Sequence, residues 1–131
     1  MDGERYLGGM FGAVSWGITG ILSALDMRTN KLVWQQQWPE RCYSGLATTA
    51  GGLLFVGRND GRLTALNAAN GAMLWSFQTG AGVNAPASVF EHNGQQYVVV
   101  LSAGSAFAAS RRGDSLWLFG LKGQLTATDT Q

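Results

Sequence analysis

A chain of 131 residues with a net charge of +1 has neither the basic stripe that nucleic acid requires nor an acidic tail, so neither kind of partner is expected. Its charged share, 13%, is about half the ~25% usual for a soluble domain, so much of its surface is expected to be covered by a neighbour. Nineteen glycines, five tryptophans and six phenylalanines against only two prolines predict an all-β chain of short apolar strands joined by tight turns.

From the first residue onward, Asp2 to Trp16 reads as a loop and a remnant strand. Leu7 to Leu25 runs nineteen residues without a charge, long enough to be weighed as a membrane span. Glycines at Gly8, Gly9, Gly12, Gly17 and Gly20 interrupt it, and its last third already belongs to a strand pattern, so no span is assigned. Asp2 and Glu4 make the start acidic where a secretory signal begins cationic, so no export signal is read. Ile18 to Gln37 predicts a hairpin, and Leu46 to Phe77 predicts three strands. Ala87 to Phe90, Tyr97 to Ser102 and Ser115 to Leu121 predict three more. The Thr-rich end, 124–131, lacks apolar periodicity and is expected to be a flexible tail behind a folded portion at 1–123.

Two of these elements are copies of one pattern. Gly20-Ile21-Leu22-Ser23-Ala24-Leu25-Asp26, running on to Trp34, recurs 41 positions later (20 to 61) as Gly61-Arg62-Leu63-Thr64-Ala65-Leu66-Asn67, running on to Trp75. A period of about 40 residues filled with short strands is the signature of a β-propeller blade, a four-stranded antiparallel unit that buries its faces only against its neighbours. Within a copy, Leu63-Thr64-Ala65-Leu66 alternates faces, and Ala65 is small enough to let an adjacent sheet approach. Asn67-Ala68-Ala69-Asn70-Gly71 supplies the turn, and the Trp of the return strand is expected to act as a spacer between stacked blades. At this period the chain holds about three blades, too few to close a ring of four to eight, so open sheet faces and unpaired edges are expected.

The stretch Ala24-Leu-Asp26-Met-Arg-Thr29-Asn30-Lys31-Leu-Val-Trp34 resembles the tryptophan-docking motif of the pyrroloquinoline quinone (PQQ) dependent dehydrogenases, A-x-D-x-x-T-G-K-x-x-W, with Asn30 in place of Gly. The second copy matches at Ala65, Gly71 and Trp75, with Asn67 where Asp is usual and Asn70 where Thr is usual. Ala50 to Gly57, Asp60-Gly61, Ala85-Pro86 and Gly94 to Val98 resemble the C-terminal blades of quinoprotein alcohol dehydrogenases in order and spacing. The resemblance implies part of an eight-bladed propeller that in its complete form holds PQQ and calcium, oxidises an alcohol with the help of an Asp, and passes electrons to a cytochrome or quinone. It implies the remaining blades, or a self-association partner, as neighbours of this chain, and a periplasmic location.

By the same resemblance, the family's catalytic Asp, calcium ligands and vicinal Cys pair lie in earlier blades. Cys42 is the one cysteine here, and the acids are scattered, so no catalytic residue, metal site or cofactor held by this chain alone is expected, nor activity by itself. No Cys-x-x-Cys-His occurs, so no haem attachment is expected. Two positions are implied to reach the cofactor site. Tyr43 stands where a family aromatic approaches the quinone, ahead of Ser44, Gly45 and Thr49-Ala50-Gly51. Phe107, after Ser102-Ala103-Gly104, falls near an aromatic that lines the substrate mouth. A non-catalytic propeller that scaffolds protein partners is the alternative reading.

Other features have simpler explanations. Gly80-Ala-Gly82-Val-Asn-Ala85 spells a dinucleotide motif, but Pro86 and a strand follow where a helix N-terminus would have to receive phosphate. His92 lies at a hairpin tip, and Arg111-Arg112, with the Arg112-Gly113-Asp114 tripeptide, sits at a turn before a strand.

Overall fold

The computed structural model describes residues 17–123, and the elements there are nine strands joined by turns and linkers. They are β1 (Gly20–Asp26), β2 (Lys31–Trp38), β3 (Leu46–Thr48), β4 (Leu53–Gly57), β5 (Arg62–Asn67), β6 (Met73–Gln78), β7 (Ser88–His92), β8 (Gln95–Ser102) and β9 (Ser115–Gly120). They form three antiparallel sheets in chain order, β1-β2, β3-β4-β5-β6 and β7-β8-β9. This is the all-β arc of propeller blades that the repeat predicts. The loop and remnant strand expected at Asp2–Trp16 and the tail expected at 124–131 lie outside the described residues.

The segment Leu46–Phe77 carries four strands, not the three expected. The difference is a tight turn. Gly52 takes φ +78, its N–H donates to the Thr49 carbonyl at 3.0 Å, and the Thr49 hydroxyl accepts from the Leu53 N–H at 3.2 Å. That turn reverses the chain after three residues and separates β3 from β4. At the other hairpin, β7 runs to His92, past the expected end at Phe90, because Asn93 (φ 51) and Gly94 (φ 71) both adopt the left-handed geometry of a two-residue turn that matches strand twist.

Alternation along β4 and β5 divides the core in two. Leu54, Val56 and Leu66 face the first sheet and pack with Leu22 and Trp38, and Trp34 leans on the same cluster. Phe55, Leu63 and Ala65 face the third sheet and pack with Val83, Ala87, Val98 and Val100. Leu63, Leu66, Val83 and Val100 are all but sealed from solvent. Each such side chain contributes about 1.5 to 3 kcal/mol of transfer free energy, so the central sheet is stable only as the filling between two others. The outward faces of the flanking sheets are apolar and open: Ile21, Leu25 and Val33 on the first, Leu101, Leu116 and Leu118 on the third.

The two repeat turns share one construction. In both, the residue at the turn's end sits in left-handed geometry, Asn30 at φ 55 and Gly71 at φ 74. Its N–H closes on the carbonyl of Asp26 or Asn67, at 2.7 and 2.8 Å. The Asp26 carboxylate accepts the Arg28 and Thr29 N–H groups, and the Asn67 side chain accepts that of Ala69. Those backbone donors hold the Asp26 carboxyl below the ordinary carboxylate range. A register shift follows at the same place in each copy, between Ala24 and Leu25 and between Ala65 and Leu66.

Sheets one and two are joined by a tryptophan. The Trp34 indole N–H donates to the Ala68 carbonyl at 2.9 Å, its ring covers Gly71, and the neighbouring Gln36 amide reaches the Gly71 carbonyl. A Cβ on Gly71 would lie 2.7 Å from the Trp34 ring. Trp75 behaves differently. It stacks on Phe77 at 6.1 Å between centroids and meets the edge of Phe119 at 5.3 Å, and Phe77 in turn meets Trp117 at 5.0 Å.

Candidate functional site

Four connections meet at one end of the sheets: the β2–β3 linker, the β4–β5 hairpin, the β6–β7 linker and the β8–β9 loop. Glycines allow the approach. Gly57, the last residue of β4, lies so close to the Val83 carbonyl and side chain that a Cβ would overlap both and would come 2.9 Å from the Ser44 hydroxyl. Ser44 donates onward to the Ala85 carbonyl at 3.1 Å, tying the first linker to the third.

Between these connections opens a shallow cleft of about 230 Å³, bordered by Tyr43, Gly82, Asn84, Ala85, Gly104 and Ser105. Small-molecule sites usually occupy about 300 to 1,000 Å³ and enclose most of their ligand, so this cleft is too small and open to enclose one by itself. Tyr43 presents a half-exposed ring to it. The remaining border is glycine, alanine and serine together with the Asn84 and Leu101 side chains. Among the described residues no three His, Cys, Asp or Glu side chains come together, so these residues do not fit a calcium ion.

Phe107 stands apart from Tyr43. Its ring is 83% exposed, while Ala108 beside it is buried. The loop is fastened by backbone: Arg41 donates to the Phe107 carbonyl at 3.1 Å, and Asn59 donates to the Ala108 carbonyl at 3.0 Å. Ala109 follows at φ 52. Tyr43 and Phe107 therefore sit on connections that touch through Arg41, with Tyr43 on the cleft and Phe107 projecting beyond it. The docking residues Ala24, Asp26, Trp34, Ala65, Asn67, Gly71 and Trp75 belong instead to the sheets and their turns.

A polar network unsignalled by sequence spacing backs the cleft. The Asn84 amide donates to the Asn59 Oδ1 at 3.0 Å, the Ser110 hydroxyl donates to the Asn84 Oδ1 at 2.7 Å, and the Ser105 N–H donates to the Ser110 Oγ at 2.8 Å. Gly82, set aside above as an accidental motif, has a packing purpose here, because a Cβ on it would run into Ser110 and Asn84.

The thiol of Cys42 adjoins Tyr43 in sequence. Arg58 lies 2.6 Å from Glu40 and over the Trp38 ring, 4.6 Å from its centroid. Partial burial pushes the Cys42 thiol up, the Arg58 guanidinium offsets this in part, and the Glu40 carboxylate adds to it. Only the thiolate is nucleophilic. Cys42 is therefore expected to alkylate more slowly at neutral pH than a free thiol, with a half-rate pH above the ordinary thiol value. Iodoacetamide labelling followed by mass spectrometry across pH 7 to 10 checks this, and labelling at pH 7 as fast as glutathione would contradict it.

The PQQ_2 family model, described as outer membrane protein assembly factor BamB, matches residues 19–129. The quinoprotein alcohol dehydrogenase PedH of Pseudomonas putida is 38% identical over 121 residues, spanning 83% of this chain and 20% of the relative. A quinoprotein ethanol dehydrogenase of the same species is 41% identical over 81 residues, 62% of this chain and 13% of the relative. Among solved structures, the quinohemoprotein alcohol dehydrogenase from Comamonas testosteroni superposes with a TM-score of 0.74 at 34% identity, covering 86% of this chain and 18% of that one. This chain thus spans a fifth or less of the length of the proteins it is similar to.

Proposed function

The chain belongs to the PQQ_2 family and is similar to quinoprotein alcohol dehydrogenases, and from that premise we propose that residues 17–123 form one wall of a PQQ-dependent dehydrogenase that oxidises an alcohol. The observation that carries this reading is the cleft at the meeting of four connections, with the Tyr43 ring on it and glycine backbone opposite. When bound, PQQ supplies the two-electron acceptor for alcohol oxidation. This chain's own part is binding and shape. Tyr43 offers a flat face for stacking, worth about 0.5 to 1.5 kcal/mol beyond the area buried for an aromatic pair. Gly82 and Gly104 let the loop close behind the cleft, since a Cβ on either would collide with Ser110 or with the Arg111 backbone, and Phe107 lends apolar surface where an alcohol's carbon chain would enter. None of the residues named on the cleft is a carboxylate or an imidazole, so proton removal and the metal belong to other blades. The complete protein would act in the periplasm and pass electrons to a cytochrome or quinone, with its other blades on the open apolar faces.

The test is a PQQ titration of this chain, with and without calcium, followed by quenching of tryptophan emission. Weak, saturable, calcium-independent binding is expected, reduced severalfold in Tyr43→Ala. No binding at high micromolar PQQ would end the Tyr43 assignment. It would favour the second reading, a scaffold for protein partners, to which the assembly-factor description of the matching family model lends support.

A further inference from the structure

The β8–β9 loop from Ala103 to Arg112 is held by side chains that the cofactor reading does not use. Its chain of hydrogen bonds has a direction. The Ala108 carbonyl can only accept, so the Asn59 amide nitrogen must face it, and the Asn59 oxygen must then face Asn84. The Asn84 oxygen is thereby turned to the Ser110 hydroxyl, whose oxygen accepts the Ser105 N–H. Reversing Asn59 would set oxygen against the Ala108 carbonyl and nitrogen against the Asn84 amide, breaking the links on both sides of it, and reversing Asn84 would set its oxygen against the Asn59 oxygen. Backbone bonds close the same loop: Gly82 N–H to the Arg111 carbonyl at 2.9 Å, Gly104 N–H to the Gly82 carbonyl at 2.8 Å and Gly113 N–H to the Ala103 carbonyl at 3.1 Å. At Gly82 and Gly104 the fit leaves no room for a Cβ.

The consequence is an unusual pair of neighbours. Ala108 is sealed at 1% exposure while the much larger Phe107 ring is left 83% exposed. If burial alone arranged this loop, the Phe would be inside and the Ala outside. Polar capture of the two successive carbonyls, by Arg41 from one linker and Asn59 from a hairpin, sets the opposite order.

We propose that Asn59 and Asn84 are positioning residues: acting through the Ala108 carbonyl and Ser110, they hold the loop so that Gly104 and Ser105 keep their place on the border of the Tyr43 cleft and the Phe107 ring stays in solvent beyond it, where a ligand larger than the cleft would meet it. The ligand part rests on the cofactor reading above. The loop part rests on the network alone.

Asn59→Asp tests this at constant shape. It keeps the acceptor for Asn84 but replaces the donor to Ala108 with an oxygen that repels it. Ser110→Ala is the second variant, and amide hydrogen exchange by mass spectrometry on the 131-residue chain is the readout, with and without PQQ. Exchange across 104–110 is expected to rise about tenfold in both variants, the effect of losing one or two hydrogen bonds locally. Exchange in β5 and β8 stays as in wild type. PQQ slows exchange across 104–110 in wild type and fails to do so in Asn59→Asp, although it still quenches emission there. Wild-type exchange of the loop in Asn59→Asp would overturn the proposal, as would an equal rise over the whole chain, which marks a merely structural role. If PQQ neither quenches nor protects the wild-type chain, the cofactor reading falls, and the contrast in loop exchange still decides the positioning role.

Discussion

Gly71→Ala is expected to detach the first sheet from the second and to cost about 2 to 5 kcal/mol. Two causes add. Left-handed geometry at φ 74 costs a residue with a Cβ about 1 to 2 kcal/mol. The Cβ would also lie 2.7 Å from the Trp34 ring, and overpacking of that kind costs about 1 to 3 kcal/mol more. Lifting Trp34 opens its indole bond to Ala68 and exposes the cluster of Leu22, Leu54 and Leu66. Urea unfolding followed by tryptophan emission measures it, with a red shift in the folded baseline as the signature of an undocked Trp34. The control is Asn30→Ala, where the same left-handed position already carries a Cβ. A Gly71→Ala chain that matches the control in midpoint and emission would show that Trp34 does not depend on the absent side chain.

The second large effect is expected at Gly57. Here the backbone is not left-handed, so the whole cost is space. A Cβ would collide with the Val83 carbonyl and side chain and would come within 2.9 Å of the Ser44 hydroxyl. Val83 is fully buried at the meeting of the second and third sheets and cannot give way without opening that core. The loss for Gly57→Ala is expected to be about 3 kcal/mol, which lowers Tm by on the order of 10 °C for a domain of this size. Function follows, because Ser44 and Val83 flank Tyr43 and Asn84, and the cleft between them widens when they part. Differential scanning calorimetry and the PQQ titration measure the two consequences separately. A Tm within about a degree of wild type would mean the linker yields freely, and the close approach would then have no structural weight.

How far the fold was legible follows from these same residues. The Asp26–Asn30 and Asn67–Gly71 turns are built from side chains that bond their own backbone two or three residues on, and a turn of that kind is readable from five letters. Asn30 in the place of Gly took the left-handed geometry that the substitution predicts. Leu46–Phe77 holds one strand more than its letters predict, because the turn at Thr49 to Gly52 depends on the Thr49 hydroxyl accepting the Leu53 N–H.

The candidate site was legible in a different measure. Tyr43 is suggested by resemblance alone, and its side chain borders the cleft. Phe107 was found the same way, but nothing in its sequence context indicated that its ring would be left outside while Ala108 was taken in. Asn59 belongs to no motif of the sequence, and Asn84 lies in the accidental dinucleotide spelling of Gly80 to Ala85. Their partners stand 49 and 26 positions away, at Ala108 and Ser110, and no spacing rule reaches that far.

The sequence by itself determined the repeat, the strand class, the turn geometry and the family, because each of these rests on local alternation and side-chain-to-backbone bonds that recur in register. Only the tertiary structure decided which connections meet, which face of each strand is sealed and which aromatic is left in solvent. Those outcomes depend on bonds between groups far apart in the chain, as between Arg41 and Phe107, 66 positions apart. They depend as well on glycines whose missing Cβ matters only once a particular neighbour has arrived beside it.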